Sequence, residues 1–182
     1  MNDFVSPWVR RYAPLIPGGA VLDLACGSGR HARHLAALEH EVVAVDNDPE
    51  ALAAAAGPGI VTSCIDLEGE GAAWPFGPDR FAGIVVTNYL HRPLIADMLT
   101  SLAPHGVLIY ETFADGNAQF GKPSNPAFLL QPGELLDWAR QHGLRVVAFE
   151  DGVIDAPKAA MVQRICAVKP GFPRVAALLP PF

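Results

Sequence analysis

The stretch Val21–Ala32, VLDLACGSGRHA, with VVAVDND at Val42–Asp48 behind it, leaves this chain few ways to fold. A run of strand formers ends in a glycine-containing turn, a helix-forming run follows, and a second strand closes on an acid. That order describes a βαβ unit built around a nucleotide. Gly27-Ser28-Gly29-Arg30-His31-Ala32 also fits the pattern G-x-G-x-x-G/A. The turn therefore admits a dinucleotide or another cofactor with an adenosine.

The rest of the sequence continues the alternation. Phe4–Tyr12 predicts an N-terminal helix, ended by Pro14, Pro17, Gly18 and Gly19. Strands are expected at Ala20–Ala25, Glu41–Asp46, Ile60–Cys64, Phe81–Thr87, Gly106–Thr112, Leu144–Glu150 and Met161–Val168. Helices are expected at Arg30–Leu38, Pro49–Ala56, Pro93–Ala103 and Pro132–His142, the second of these capped by Asp48. Asp66–Arg80 and Phe113–Gln131 read as loops. Strands alternating with helices imply a largely parallel sheet covered on both faces. Only about ten residues join the last two strands, too few for a crossover helix, so these two should pair antiparallel. The expected fold is α/β: a Rossmann-like, doubly wound, seven-stranded and mostly parallel sheet with a terminal antiparallel β-hairpin.

With 182 residues, 51% of them hydrophobic and 18% charged, residues 1–182 fit one compact domain with a substantial core. No apolar run reaches the roughly 20 residues that span a bilayer, and residues 1–19 lack the basic-then-apolar order of a secretory signal. A cytoplasmic protein without a membrane partner is expected. Cys26, Cys64 and Cys166 are odd in number and widely spaced, which suits reduced thiols better than disulfides or a zinc site. The formal net charge is −6, and the thirteen Lys and Arg form no stripe along the chain. That disfavours nucleic acid and favours a small-molecule partner.

Asp23 separates the two kinds of cofactor. On the buried first strand of a dinucleotide fold, an acid two residues before the turn would be an uncompensated charge. Ligands of open α/β sheets bind at the carboxyl ends of the strands. A carboxylate there suits the ammonium and sulfonium of S-adenosylmethionine and repels a pyrophosphate. Asp23-Leu24-Ala25-Cys26-Gly27-Ser28-Gly29-Arg30 resembles the first motif of class I S-adenosylmethionine-dependent methyltransferases, D-x-G-x-G-x-G. Ala25 replaces the first glycine and adds only a methyl beside the cofactor. Gly27 and Gly29 keep the backbone open to close approach. The resemblance implies that Asp23, Ala25, Cys26, Gly27 and Gly29 surround the cofactor.

Asp46 ends the second strand 19 residues after Gly27, where an acid accepts hydrogen bonds from both ribose hydroxyls of either cofactor. Asn47 beside it is a further ribose or adenine contact. Past the third strand, Cys64-Ile65-Asp66-Leu67-Glu68 is similar to the family's adenine-binding segment. The resemblance implies that Asp66 accepts from the adenine amino group and that Leu67 N–H reaches a ring nitrogen; the other reading of Asp66 is a solvated loop acid. Trp74 and Phe76 read as anchors of the loop. Asn88-Tyr89-Leu90-His91-Arg92-Pro93 follows the fourth strand, where the family passes the methionine end of the cofactor and opens the substrate site. Ala82 stands where the family often carries an acid.

Methyl transfer asks a protein for orientation and a water-poor site, and for a base when an oxygen or nitrogen acceptor is protonated. The catalytic candidates are His91 and Glu111. His91 serves as a base or makes a structural hydrogen bond where a helix begins. Glu111 serves as a base, binds a cationic acceptor or pairs with an arginine. Tyr89 lines the acceptor pocket or packs. Phe113–Gln131 is long enough for a substrate lid, with Asn117, Phe120, Lys122 and Asn125 as candidate contacts. FGKPSNPAFLLQPGELL within and after it resembles, more loosely, a segment of tellurite-resistance-like and related small methyltransferases. Trp8, Arg11 and Tyr12 form a second cover or a helix packed on the sheet. His31 and His34 share a helix face without a third ligand, so no metal is expected. The reading is S-adenosylmethionine-dependent methyl transfer to a small molecule. Its rivals are a noncatalytic module binding the same cofactor, a protein or RNA methyltransferase, and a NAD-dependent oxidoreductase, which Asp23 opposes.

Overall fold

The computed structural model describes residues 4–177. Helix α1 (Pro7–Tyr12) begins later than Phe4 because Ser6 caps it: Ser6 Oγ accepts from Trp8 N–H at 3.1 Å and Val9 N–H at 3.5 Å, with Pro7 in the first turn. Strand β1 (Ala20–Leu24) stops one residue before Ala25, whose φ of 54° takes the chain out of extended geometry. Helix α2 (Arg30–Ala37), strand β2 (Glu41–Asp46) and helix α3 (Pro49–Ala55) follow as expected to within a residue. Asp48 Oδ1 caps α3 by accepting from Glu50 and Ala51 N–H. Strands β3 (Ile60–Cys64) and β4 (Phe81–Thr87) match the sequence reading. The loop between them is anchored by Trp74 Nε1, which donates to Ser101 Oγ at 2.6 Å, and by Phe76 edge-on to Phe81 at 5.0 Å.

The second half departs further from expectation. The helix read at Pro93–Ala103 is a 3-10 turn, Arg92–Leu94, followed by a short α4 (Ile95–Thr100). Strand β5 (Leu102–Phe113) then starts earlier than Gly106. Its pairing with β4 slips, since Phe81 faces Leu102 while Gly83 faces Val107. Pro104 and the left-handed His105 fall in the extra stretch, a bulge that tolerates both. Helix α5 (Glu134–Gln141) begins after Gly133, whose φ of 74° lies outside helical geometry. Strands β6 (Arg145–Ile154) and β7 (Ala160–Val168) are longer than predicted and leave residues 155–159 as the hairpin loop.

The strand order is β3-β2-β1-β4-β5-β7-β6, with β1 to β5 parallel and β7 antiparallel between β5 and β6. This is the predicted fold class. Strand alternation sends Val21, Val42, Val85 and Ile109 to a face covered by α1, α2 and α3, and Leu22, Val45, Ile84 and Leu108 to a face covered by α4 and α5. Trp8 and Tyr12 belong to the first of these cores, so α1 packs on the sheet and its aromatics form no second cover; Arg11 points to solvent. Among the described residues no helix is long and apolar enough to cross a membrane. The chain leaves β1 for β2 on one side and reaches β4 on the other, which opens a crevice at the carboxyl ends of β1 and β4.

Candidate cofactor groove and acceptor cavity

The turn after β1 is built from left-handed residues: Ala25 at φ 54°, Gly27 at 53° and Gly29 at 79°. A Cβ on Gly27 would meet no atom within 4 Å, so this backbone faces open space. A Cβ on Gly29 would lie 2.5 Å from Ala55 Cβ, because α3 packs directly on the turn. The second strand clamps the turn in place. Gly27 N–H donates to Asp46 Oδ2 at 2.8 Å, and Cys26 N–H donates to Val45 O at 3.0 Å. Burial, reinforced by Asp23 and Asp46, pushes the Cys26 thiol up to about 12, so it stays protonated.

Two openings meet at this turn. A groove over β1, β2 and the loop after β3 is lined by Leu24, Ala25, Val45, Asp46, Asn47, Ile65, Asp66, Leu67, Glu68 and Tyr89. Asp66 Oδ1 accepts from Glu68 and Gly69 N–H, which shapes the loop and leaves Oδ2. Leu67 N–H has no partner among the described residues. A cleft on the other side of the turn is lined by Ala25, Cys26, Gly27, Ser28, Arg30, Thr87 and Asn88.

Asp23 lines neither opening. It is 1% exposed, on the α2 side of β1, where the Ala32 backbone N–H favours its charged form while Oδ2 has no partner among the described residues. Burial raises its carboxyl to about 7, with the Asp46 charge adding to the shift. The expectation of a direct cofactor contact therefore gives way to a buried acid behind the turn.

A third opening, a cavity of about 220 Å³, lies beyond the cleft. Its walls come from Phe4, Ser6 and Pro7, from Arg30 and Asn88, from Glu111 and Phe113 at the end of β5, from the loop bearing Asn117, Phe120 and Lys122, and from the β6–β7 hairpin with Val162 and Arg164. Glu111 is 8% exposed and held on both oxygens: Ser6 Oγ donates to Oε1 at 2.8 Å, and Arg164 lies 3.3 Å from Oε2. Arg164 also pairs with Glu150 and stands 4.9 Å over the Trp8 ring. His31 Nε2 accepts from Ser6 N–H at 3.1 Å, which places the ring proton on Nδ1, 3.2 Å from Thr87 Oγ1. Burial drives His31 down to about 3, with Arg30 and His34 acting in the same direction, so it is neutral.

The cavity gathers Glu111, Asn117, Phe120 and Lys122 and excludes three other candidates. His91 faces Glu68 at 3.6 Å, in a separate cleft with Trp74 and Phe76, because the chain turns away from the cavity after Asn88. Tyr89 lies in the groove beside Glu68 and Asp66; burial raises its hydroxyl pKa first, and the neighbouring Glu68 adds to it. Asn125 accepts from Ala127 N–H and caps a 3-10 turn. Asn117, 1% exposed, staples its loop: Nδ2 donates to Pro123 O at 2.9 Å and Oδ1 accepts from Met161 N–H at 3.1 Å. Sequence reasoning missed Ser6, Lys158 and Arg164 as wall residues. Arg164 faces Glu111 only through the antiparallel register of β5 and β7.

Residues 21–106, from β1 to the start of the regular part of β5, match the family model described as a methyltransferase domain. The chain has the α/β, Rossmann-like fold of methyltransferases. The domain is similar in structure to TehB from Haemophilus influenzae, with a TM-score of 0.73 and 19% identity over 93% of this chain and 63% of that one. An S-adenosylmethionine-dependent methyltransferase from Mesorhizobium loti aligns with a TM-score of 0.70 and 18% identity over 90% of this chain and 96% of that one. The cyclase SpnF aligns with a TM-score of 0.68 and 16% identity over 90% of this chain and 78% of that one. At these identities the likeness is one of fold. No curated protein matches the sequence. For neighbours of this fold, the Mesorhizobium loti protein among them, the cofactor named is S-adenosylmethionine. The residues present fit it: an open backbone at Gly27, a carboxylate at the end of β2 and an unpartnered N–H at Leu67.

Proposed function

We propose that the chain transfers a methyl group from S-adenosylmethionine to a small molecule held beside Glu111. The observation that carries this reading is continuity. Ala25 belongs to both the groove and the cleft, and Arg30 and Asn88 belong to both the cleft and the cavity. A cofactor seated along the groove has its reactive end at the mouth of the cavity. Bound there, it supplies an electrophilic sulfonium methyl, displaced in line by the acceptor nucleophile with the electron pair left on sulfur. Asp46 and Asn47 hold the ribose, Asp66 Oδ2 and Leu67 N–H read the adenine, and the backbone from Ala25 to Gly29 admits the methionine end. Asp23 supports the turn from behind. Phe4, Pro7 and Phe120 exclude water, and Asn117 fixes the loop that carries Phe120. Glu111, oriented by Ser6 and Arg164, takes the proton of an oxygen or nitrogen acceptor.

The likeness to a cyclase favours one second reading, a domain that binds the cofactor without transferring its methyl. Calorimetric titration with S-adenosylmethionine, its demethylated product and NADH tests the first step. Binding of the first two without the third is expected; binding of NADH alone overturns the reading. Release of the demethylated product only when an acceptor is added separates the enzyme from the noncatalytic module.

A further inference from the structure

The acceptor cavity has a charge opposite to that of the chain. The chain's formal net charge is −6, yet Arg30, Lys122, Lys158 and Arg164 line this cavity, and Glu111 is the carboxylate among its described walls. Arg164 is committed to Glu111 and Glu150. That pairing holds Glu111 in place, while Arg30, Lys122 and Lys158 have no acidic partner among the described residues. The three cations arrive from separate places: the start of α2, the loop after β5 and the β6–β7 hairpin. Lys158 Nζ lies 3.3 Å from the place a Cβ on Gly121 would take, so the hairpin lysine sits against the loop that carries Lys122.

Like charges brought together repel, and a bound anion removes that repulsion. A cleft of one sign with low-dielectric walls also concentrates ligands of the opposite sign. The remaining walls are apolar, with Phe4, Phe113, Phe120, Ile154 and Val162 among them. The volume of about 220 Å³ is below the range of about 300–1,000 Å³ found for drug-sized ligands. We propose that the acceptor is a small organic anion: an apolar body bearing a carboxylate or a comparable oxyanion. Its charged end lies toward Lys122 and Lys158, and its nucleophilic atom toward Glu111 and Asn88. With four cations lining the cavity against Glu111, the opposite case, a cationic acceptor held by that carboxylate, is disfavoured. This inference rests on the methyl-transfer reading above.

The test is an NMR titration of the protein bound to the demethylated cofactor, with benzoate, benzamide and sulfate as probes. Benzoate is expected to bind about tenfold more tightly than benzamide, and more tightly than sulfate. The double variant Lys122→Gln/Lys158→Gln should lose about tenfold in benzoate affinity and nothing for benzamide. Its unchanged affinity for the demethylated cofactor shows that fold and groove are intact. Benzoate binding no tighter than that of benzamide, including no binding of either, overturns the proposal. So does a double variant that keeps its benzoate affinity. Sulfate binding as tightly as benzoate overturns the organic part, leaving a site for inorganic oxyanions. Failure of the demethylated cofactor to bind at the outset overturns the methyl-transfer reading instead, so the two failures are distinct.

Discussion

At Ala25 a side chain occupies a backbone conformation that glycine suits, φ 54°. A left-handed L-residue costs about 1–2 kcal/mol, while a glycine adds about 0.4–1 kcal/mol of unfolded-state entropy. Ala25→Gly is therefore expected to keep or raise stability, by up to about 1.6 kcal/mol, in urea unfolding; a clear loss would mean that the Ala25 methyl packs usefully. Asp46→Ala removes the acceptor of the Gly27 N–H and, on the proposed seating of the cofactor, its ribose contacts, and should weaken S-adenosylmethionine binding by about 1.5–3 kcal/mol in calorimetry. Unchanged affinity would place the cofactor elsewhere. Asp23 and His31 set opposing pH dependences. The folded Asp23 carboxyl, raised from 3.8 to about 7, gives stability that is full below 3.8 and lost as pH rises to about 7. His31, lowered from 6.5 to about 3, gives stability that is full above 6.5 and lost as pH falls. Between about pH 4 and 6.5 the two offset each other, so Asp23→Asn should make stability rise with pH there more steeply than in the wild type. Urea midpoints across that window decide it.

Among the elements, the parallel half of the sheet was the legible part. From β1 to β4, strand formers, turn residues and the Asp48 cap all act within a few residues of one another, and their boundaries were read to within a residue. The β4–β5 connection was misread because Pro104 and Gly106 look like helix breakers in sequence, whereas a slipped register absorbs them in a bulge. The loop after β5 is less a free lid than a stapled one. Ala114 bridges to Leu130, and Arg92 holds Ala127 O, Leu129 O and Glu134. Asn117, buried between Pro123 O and Met161 N–H, is its central staple. Asn117→Ala strands both groups and should cost about 1–3 kcal/mol in unfolding, with faster amide exchange through Asn117–Phe128. Exchange unchanged in that loop would mean that Arg92 alone holds it.

For the whole molecule, a ligand that binds only the folded state stabilises it by mass action, about 2.7 kcal/mol at a hundredfold excess over its dissociation constant. S-adenosylmethionine should raise the unfolding midpoint in this way and NADH should not; the reverse would transfer the groove to a dinucleotide. The groove could be read from sequence, down to Asp46, Asp66 and Leu67, since its parts lie at the ends of consecutive strands and turn chemistry is local. The acceptor cavity could be read only in part: Glu111, Asn117, Phe120 and Lys122 were candidates, whereas Ser6, Lys158 and Arg164 were not. Ser6, Glu111, Lys122, Lys158 and Arg164 come from the two ends and the middle of the chain, and no period or spacing relates them. Strand register brings Arg164 opposite Glu111, a capped helix swings Ser6 onto the same carboxylate, and His91, close in sequence to Asn88, turns away toward Glu68. Backbone propensity and hydrophobic period act between near neighbours, so the chain's order alone carried the sheet and the cofactor turn. Which charges meet in the cavity is a matter of long-range closure, settled only when the hairpin and the loop after β5 fold over the same edge of the sheet.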